Sequence, residues 1–351
     1  MPPSVLPPPQ SPLRIASRGS KLALKQAETV QALLKTRGVI AEIKVITTTG
    51  DRIQDRFLYE IGGKGLFIKE IEQSLQTGGA DLAVHSLKDL PAVVSPGFAL
   101  PAVLPRGPAT DALLLPLASA QRLGWQSGQL LAREALSQLG RLRVGTGSLR
   151  RRALLTAASP ALEVRAMRGN VDTRLAKLLV SKGGEYDGLI LATAALERIE
   201  LSTELRQQLC IATLDPQWFV PSSSQGALVL ETLASSPLRG WLSQEFNHRE
   251  SSQCVAIERG VLAALGGDCT LPIGVHAVLL DQAEVRIQGF MADLTGHEVR
   301  WTAQRALGTG GEEDCRLIAE NFAQSLLACG GDEILRVLRS PGTEGGGEGL
   351  S

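Results

Sequence analysis

The sequence lacks net charge and is poor in tyrosine. Its 36 Lys and Arg equal its 36 Asp and Glu, and its 351 residues include only two Tyr. Nucleic-acid-binding proteins usually carry a basic excess and aromatic side chains that stack on bases, so that class is disfavoured. No stretch approaches the roughly 18 apolar residues of a membrane span, and the proline-rich residues 1–12 lack the apolar run of a signal peptide. We therefore expect a cytoplasmic protein that binds neither nucleic acid nor a membrane.

Cysteine is also scarce, and its spacing excludes two kinds of site. An odd number of widely spaced cysteines fits neither a disulfide framework nor a zinc site, so we expect no metal. Each cysteine is predicted to be a small buried hydrophobe, except Cys269, which follows a flexible Gly-Gly-Asp turn. The five cysteines are Cys210, Cys254, Cys269, Cys315 and Cys329.

Two phosphate-binding motifs are missing as well. The sequence has no Gly-x-x-x-x-Gly-Lys-Ser/Thr run and no Gly-x-Gly-x-x-Gly after a predicted strand. Both motifs place glycine-rich backbone around a phosphate, so nucleotide binding is disfavoured.

A pattern of strand, helix, strand, helix and strand occurs twice. The first copy runs from a predicted strand at residues 13–17 to one at 81–85, and the second runs from 142–145 to 186–192. Each copy has a polar, glycine-containing turn after its first strand. Such units build parallel sheets, and ligands bind at the carboxyl ends of their strands. We predict an α/β protein with two lobes that face each other across a cleft.

The pattern changes after about residue 246. Apolar side chains have helical spacing over residues 254–265, and three strands are predicted at 271–280, 284–291 and 298–305. A second helix is predicted at 315–329. The sequence thus predicts a small C-terminal α/β domain of three strands and two helices.

The two lobes are predicted to be connected twice, through residues 105–111 and 215–224. Residues 226–233 are predicted to add a strand to the first lobe, and residues 118–138 to form a peripheral insertion. The predicted domains are a disordered N-terminus at 1–12, lobe 1 at 13–105 plus 226–245, lobe 2 at 106–225, a cysteine-bearing C-terminal domain at 246–339 and a disordered tail at 340–351.

Arginine is concentrated in one window. Residues 141–177 hold eight Arg and one Lys against only Glu163 and Asp172. Arg150 and Arg151 fall in the first turn of a helix that opens at Ser148, where the helix dipole is already positive, so an anion is expected in front of them. The alternative is a solvated basic patch. Guanidinium groups bind carboxylates bidentately, which favours a ligand with several carboxylates. Arg18 and Lys21 hold the matching place in the first lobe.

Asp89 and Cys269 are the candidates for chemistry. Asp89 follows a predicted buried strand, and position alone leaves two interpretations equal: a turn-forming Asp before Leu-Pro, or an acid/base carboxylate that faces the arginines. His85, on that strand, is predicted to be a packed residue. A helix C-terminus does not lower the pKa of a thiol, so a nucleophilic or tethering role for Cys269 needs activation from elsewhere.

Six motifs occur in an order that resembles one family. They are Arg18-Gly-Ser20, Gly62-Gly-Lys-Gly-Leu-Phe67, Val84-His-Ser-Leu-Lys-Asp-Leu-Pro91, Val144-Gly-Thr-Gly-Ser-Leu-Arg-Arg151, Arg168-Gly-Asn-Val-Asp-Thr-Arg174 and Gly267-Asp-Cys-Thr-Leu-Pro-Ile-Gly274. Together they resemble the porphobilinogen deaminases, also called hydroxymethylbilane synthases, over residues 13–338. The resemblance implies two lobes like type II periplasmic binding proteins and a third domain that bears a cysteine.

The resemblance also implies a transferase of heme and porphyrin biosynthesis. A dipyrromethane cofactor would be attached to Cys269 through a thioether. Four porphobilinogen molecules would add to it head to tail, each losing ammonia, and hydrolysis would release the linear tetrapyrrole hydroxymethylbilane. Asp89 resembles the catalytic carboxylate, which would assist departure of the amine, stabilise the cationic azafulvene and help remove the pyrrole α-proton. A monomer is implied.

The resemblance assigns further roles residue by residue. Phe67 would stack near the growing pyrrole chain, and Gln225 would line the cleft. The carboxylates of cofactor and substrate would be bound by Arg18, Ser20, Lys64, Lys88, Thr146, Ser148, Arg150, Arg151, Arg168, Arg174 and Arg198.

The sequence departs from the family pattern at Gly147, Glu60, Asp268 and the Pro-Ser-Ser-Ser run before Gln225. The alternative function is a non-catalytic, two-lobed protein that binds a polycarboxylate. Such a protein would keep the arginines but would have no use for Asp89 and Cys269. A covalent adduct on Cys269 would distinguish the enzyme from this alternative.

Overall fold

The computed structural model describes residues 12–52, 68–180, 184–267, 271–281, 284–293 and 297–339. These residues form three β-sheets, each covered by helices. We call the units built on the first and second sheets lobe 1 and lobe 2, and the unit built on the third sheet the C-terminal domain. The predicted α/β class is confirmed.

The strands, in chain order, are β1 (Leu13–Arg18), β2 (Ala41–Ile46), β3 (Leu82–Ser86), β4 (Phe98–Val103), β5 (Asp111–Pro116), β6 (Leu130–Leu131), β7 (Arg143–Thr146), β8 (Glu163–Ala166), β9 (Gly188–Ala192), β10 (Leu209–Leu214), β11 (Leu228–Leu233), β12 (Ile273–Leu279), β13 (Glu284–Ala292) and β14 (Glu298–Ala306).

The helices are α1 (Lys21–Thr36), α2 (Thr49–Arg52), α3 (Lys69–Gln76), α4 (Leu117–Arg122), α5 (Leu149–Ala158), α6 (Val171–Leu179), α7 (Thr193–Ile199), α8 (Thr203–Gln208), α9 (Leu238–Phe246), α10 (Arg249–Ala264), α11 (Glu312–Leu326) and α12 (Asp332–Arg339). Within the described ranges, none of these helices is long and apolar enough to cross a membrane.

Lobe 1 is built on a sheet with the strand order β2-β1-β3-β11-β4. Strands β1, β2 and β3 are parallel, as the repeated pattern predicted. Strand β11 returns from the second crossing and lies antiparallel between β3 and β4, which confirms the extra strand predicted near residues 226–233.

Helix α1 shows why the local predictions hold. The Ser20 hydroxyl accepts a hydrogen bond from the backbone N–H of Ala23 at 3.3 Å and so caps the helix. Ala27, Val30 and Leu34 recur at helical spacing and are buried against the sheet. Gly38, at a φ of 74°, follows the helix and supplies the left-handed conformation that ends it.

Lobe 2 has the order β6-β10-β5-β9-β7-β8. Strands β8, β7 and β9 are parallel, as predicted, whereas β5 is antiparallel to both β9 and β10. The sequence did not predict β4, β5 or β10, because short apolar runs carry no periodicity that separates a buried strand from other buried segments. Within residues 118–138, β6 forms an edge of this sheet beside β10.

The C-terminal domain packs α10 and α11 on the antiparallel sheet β12-β13-β14. The three predicted strands and two predicted helices are present. Helix α11 spans Glu312–Leu326 and not 315–329, and it continues through the wide turn Leu327–Gly331 into the additional helix α12. Gly330 adopts a φ of 108° in that turn, so the predicted helix stop became a kink between two helices.

Candidate active site

A cavity of about 360 Å³ lies where lobe 1, lobe 2 and the C-terminal domain meet. Its walls come from the loop after β3, the start of α5, the end of α10 and the start of β12. We call it the main cavity. Its lining includes Lys88 and Asp89 of lobe 1, Ser148 and Arg150 of lobe 2, and Gly267 and Leu271 of the C-terminal domain.

Asp89 ends a single helical turn, Leu87–Asp89, that begins directly after β3. Leu87 is 1% exposed and anchors this turn in an apolar cluster, whereas the Asp89 side chain is exposed. Asp89 lines the main cavity and also a smaller cavity of about 50 Å³ that it shares with Arg18 and Ser20. Asp89 therefore belongs to a turn and also faces two cavities, so neither sequence interpretation excludes the other.

Lys88 lies beside Asp89, and its ammonium group donates a hydrogen bond to Gln225 Oε1 at 3.1 Å. Burial, and then repulsion by the Arg151 guanidinium, lower the pKa of Lys88 to about 8, against the opposing attraction of Asp89 and Asp111. The side chain is half-buried and lines the main cavity. Lys88 is thus a cation whose charge responds to mildly alkaline pH.

Arg150 and Arg151 form a buried cluster with Asp111, the first residue of β5. Arg150 and Arg151 are 3% and 6% exposed, and Asp111 is fully buried. Arg150 Nη2 lies 2.6 Å from Asp111 Oδ2, and Arg151 Nη2 lies 2.6 Å from Oδ1. Burial alone raises the pKa of the Asp111 carboxyl, but the charges of Arg151 and Arg150 outweigh it and hold that pKa well below its usual range. The interpretation of these two arginines as a solvated basic patch is therefore wrong.

Arg150 connects this cluster to the main cavity. Its Nη1 donates to the carbonyl oxygen of Val220 at 2.6 Å, and its guanidinium lies 5.6 Å from the centre of the Phe219 ring. Its Nε is buried, and no hydrogen-bond partner for it exists among the described residues. A buried N–H without an acceptor is unfavourable, so this edge of the guanidinium is suited to an anionic ligand.

Arg174 brings further positive charge to the same region. Its Nε donates to the carbonyl oxygen of Gly169 at 2.7 Å. Burial, followed by the charges of Arg151 and Arg168, lowers the pKa of Arg174 to about 10, while Asp89 opposes that shift. Guanidinium groups from α5, α6 and the turn before α6 thus interact through space, and their field favours a ligand with several negative charges.

Gly147, one of the departures from the family pattern, has a steric explanation. A Cβ atom at this position would lie 2.9 Å from the carbonyl oxygen of Met167, which is closer than a carbon atom tolerates without movement. Serine at 147 would therefore require the turn after β7 to shift. Two other departures, Glu60 and Asp268, lie outside the described residues.

The two cap residues face the two cavities. Ser148 caps α5 by accepting a hydrogen bond from the backbone N–H of Arg151 at 3.4 Å, and it lines the main cavity. Ser20 caps α1 and lines the smaller cavity, together with Arg18. Because each cap follows the carboxyl end of a parallel strand, these positions agree with the expected location of a ligand.

Two residues assigned to ligand contacts serve the crossings between the lobes. Gln225 is fully buried, and its amide nitrogen donates to Asp111 Oδ1 at 2.9 Å and to the Ala109 carbonyl oxygen at 2.7 Å. Arg198 donates to the carbonyl oxygen of Gly226, and burial lowers its pKa. The family resemblance assigned contacts with the cofactor, the substrate or the cleft to several described residues that line neither cavity. These residues are Thr146, Arg151, Arg168, Arg174, Arg198 and Gln225.

Three assigned residues lie outside the part of the chain that the structure describes: Lys64, Phe67 and Cys269. The described residues nearest to Cys269 in the sequence, Gly267 and Leu271, both line the main cavity.

The remaining cysteines and His85 largely follow their predicted roles. Cys210, Cys254 and Cys315 are buried, but Cys329 is exposed, so the prediction for that residue is wrong. Cys329 lies in the turn between α11 and α12, outside the apolar stripe of α11. His85 is 7% exposed, and its Nε2 lies 2.8 Å from Glu231 Oε2 on the neighbouring strand β11, which confirms a packed strand residue.

The sequence interpretation missed two buried carboxylates that hold the three units together. The sequence predicted a crossing between the lobes at residues 105–111, with Asp111 at its end. Glu258, fully buried on α10, binds Arg106 of the first crossing at 2.8 Å and accepts from the backbone N–H groups of Ser224 and Ala277. The sequence offered one sign of this role. Glu258 is a charged residue on the apolar face of α10, and a carboxylate buried there requires a partner.

The comparisons with known proteins agree with this geometry. Residues 13–237 match the family model described as "Porphobilinogen deaminase, dipyromethane cofactor binding domain", and residues 252–328 match "Porphobilinogen deaminase, C-terminal domain". The chain is 42% identical over 328 residues to a porphobilinogen deaminase of Nitratidesulfovibrio vulgaris, covering 92% of this chain and 95% of that protein. It is 39% identical over 333 residues to one of Paraburkholderia phytofirmans, covering 94% and 90%.

The solved structures that it resembles are distant. Apo YehZ of Escherichia coli matches at 12% identity with a TM-score of 0.36, covering 74% of this chain and 95% of that chain. Scores at this level add nothing to the assignment, which depends on the family models and the curated relatives. By these matches, the chain belongs to the porphobilinogen deaminase family.

Proposed function

We propose that this chain is a hydroxymethylbilane synthase, a transferase that joins four porphobilinogen molecules head to tail with loss of ammonia. The product, hydroxymethylbilane, leaves by hydrolysis from a dipyrromethane that stays attached to Cys269. The observation that carries this proposal is the main cavity. Asp89, Lys88, Arg150 and the chain on both sides of residue 269 all line it.

The residues around the cavity suit a dipyrromethane with several carboxylates. Gly267 and Leu271, the described residues on either side of Cys269 in the sequence, both line this cavity. The buried, unpartnered Nε of Arg150 requires an acceptor. Lys88, Ser148 and Arg150 line the same cavity, and we propose that they hold carboxylates of cofactor and substrate there. When bound, the dipyrromethane would supply the pyrrole carbon to which the first substrate unit is joined.

We propose further carboxylate contacts from residues of the smaller cavity and from residues that line neither cavity. Arg18 and Ser20 line the smaller cavity, which also touches Asp89. The proposed contacts beyond the main cavity are Arg18, Ser20, Lys64, Thr146, Arg151, Arg168, Arg174 and Arg198, with Phe67 beside the cleft.

We propose Asp89 as the residue that moves protons. Its carboxylate is exposed to both cavities, so it can reach an amine in one and a pyrrole ring in the other. As an anion it stabilises positive charge at the carbon that loses the amine, and as a base it accepts the proton of the pyrrole carbon that is attacked. Its neighbour Lys88 limits the negative charge at this point.

The charge of the growing product explains the cations. Each pyrrole unit brings two carboxylates, so every addition places two more negative charges in the cleft. Arg174 interacts through space with Arg151 and with Arg168, and the negative charge of Asp89 opposes their repulsion. A positive field of this kind retains a polyanionic chain while it lengthens.

We also propose the finer features that the sequence predicts: a monomer, located in the cytoplasm, that uses no metal and binds no nucleic acid. The balanced charge of the whole chain supports the absence of nucleic-acid binding. The domain boundaries remain those proposed above, with lobe 1 at 13–105 plus 226–245, lobe 2 at 106–225 and the C-terminal domain at 246–339.

Intact mass combined with a porphobilinogen turnover assay tests the function. Purified protein should carry a covalent adduct of two pyrrole units, and peptide mapping should place it on Cys269. Cys269→Ala should lack both adduct and turnover, whereas Cys329→Ala, which removes an exposed cysteine, should retain both. Unmodified protein that binds a polycarboxylate without forming product would favour the non-catalytic binding protein.

A further inference from the structure

Arg259 links the C-terminal domain to the loop that carries Asp89. It lies on α10, and its Nη2 donates to the carbonyl oxygens of Pro91 at 2.7 Å and Ala92 at 2.9 Å. Pro91 and Ala92 follow Asp89 by two and three residues, and both line the main cavity. One guanidinium nitrogen of the third domain thus fixes two successive carbonyl groups beside the candidate catalytic carboxylate.

This contact is made at an electrostatic cost. Burial lowers the pKa of Arg259 to about 10. Among the described residues, no carboxylate lies within 4 Å of its side chain, unlike Arg106, which pairs with Glu258. A largely buried cation that is bound only to carbonyl oxygens recovers part of its lost hydration through charge-assisted hydrogen bonds.

Helix α10 also leads to the proposed attachment residue. It ends at Ala264, and the chain continues through Gly266 to Gly267 on the wall of the main cavity. Leu87, in the turn before Asp89, belongs to the same apolar cluster as Val255, one helical turn before Arg259. The helix that precedes Cys269 therefore shares an apolar cluster with the turn before Asp89, through Val255, and binds the chain after Asp89, through Arg259.

We propose that Arg259 is a positioning residue, which sets the place of Asp89 relative to α10, the helix that precedes Cys269 in the sequence. This proposal rests on the proposed function, since it assumes that Asp89 performs the chemistry. Arg259 itself touches neither the reacting atoms nor the cofactor. Removal of Arg259 takes the hydrogen-bond donor from the carbonyl groups of Pro91 and Ala92. The Asp89 carboxylate is then no longer held at a fixed distance from the pyrrole chain proposed on Cys269. Misplacement of a catalytic group by about 1 Å lowers rates by up to roughly a hundredfold.

The test uses the loaded enzyme and porphobilinogen, and it separates kcat from KM. Arg259→Gln should lower kcat by about tenfold or more, with KM within twofold and the cofactor adduct intact by mass. Arg259→Lys, which keeps the charge but not the planar fork, should recover part of the loss. Arg249→Gln is the matched control, because Arg249 lies on the same helix and donates to a carbonyl, that of Thr309, within its own domain. The control should turn over like wild type.

A double-mutant cycle identifies the residue through which Arg259 acts. In an Asp89→Glu background, whose carboxylate is already displaced by one methylene, Arg259→Gln should change kcat by less than about twofold. Equal losses in both backgrounds, or a kcat within twofold of wild type for Arg259→Gln alone, would overturn the proposal. If Arg259→Gln does not fold, Arg259→Lys carries the same cycle with the same criterion. Failure of wild type to consume porphobilinogen would instead refute the proposed function.

Discussion

Replacement of Asp111 by Asn removes one buried negative charge and keeps the shape of the side chain. Arg150 and Arg151 then stay buried without a carboxylate, and the carbonyl oxygens of Val220 and Ile190 remain as their acceptors. Removal of one partner from a buried ion pair typically costs about 3–5 kcal/mol. Because those carbonyls and the Phe219 ring still accept part of the charge, we expect a loss of about 3 kcal/mol, at the lower end of that range.

Denaturant unfolding at pH 7 measures this loss. The matched control is Asp187→Asn, because Asp187 binds Arg143 at 2.8 Å in the same lobe but both side chains are more than a quarter exposed, at 29% and 27%. Exposed pairs contribute at most about 1 kcal/mol, so the control should lose little. If Asp111→Asn is no less stable than Asp187→Asn, the buried cluster of Asp111, Arg150 and Arg151 does not stabilise the fold as proposed.

The pH dependence of the same variant has a defined sign. The pKa of Asp111 is lower in the folded chain than in the unfolded chain, where it lies near 4. Its contribution to stability is therefore fully present above about pH 4 and is lost as pH falls towards the folded value. Wild type should lose stability more steeply than Asp111→Asn below about pH 4. Parallel acid limbs would contradict this assignment.

Three further substitutions test the cavity and the crossing between the lobes. Asp89→Ala should fold, keep the cofactor adduct and lose turnover, since its exposed carboxylate anchors nothing in the core; near-normal product formation would remove Asp89 from the chemistry. Because the pKa of Lys88 is lowered to about 8, KM for porphobilinogen should rise as pH increases through 8 in wild type but not in Lys88→Gln, and identical profiles would contradict a carboxylate contact. Gly226→Ala should lower Tm by several degrees more than Gly38→Ala. Both glycines have positive φ, but a Cβ added at 226 would clash with the carbonyl oxygen of Gly107, whereas one added at 38 would meet nothing within 4 Å. Equal Tm values for the two variants would refute a tight crossing.

Sequence-based predictions were correct where a residue type has one preferred structural role at its position. Ser20 and Ser148 cap α1 and α5 as predicted, because a serine before an apolar-periodic run satisfies the first free N–H groups. The parallel cores of both lobes follow from the repeated strand–helix pattern. The positions of Asp89 and Ser148 in one cavity follow in turn, since both come directly after strands that end at the ligand-binding edge.

The parts that the sequence could not predict depend on contacts between distant segments. Arg150 and Arg151 were expected to face a ligand, but their main partner is Asp111, about 40 residues earlier in the chain. Gln225 was expected to line the cleft, but it is buried against the same carboxylate. No local pattern reveals such pairing. An aspartate before an apolar run gives the same sequence pattern whether it is buried at the start of a strand or exposed in a turn.

The central claim is that the Cys269 thiol, the Asp89 carboxylate and the surrounding cations serve one cavity in which a chain grows on the protein. Intact mass after brief incubation with stoichiometric porphobilinogen tests it most directly. We expect a ladder of species on Cys269, each heavier than the last by one pyrrole unit, in wild type and not in Asp89→Ala. An unchanged mass in wild type, or adducts that map to Cys329 instead, would contradict the claim.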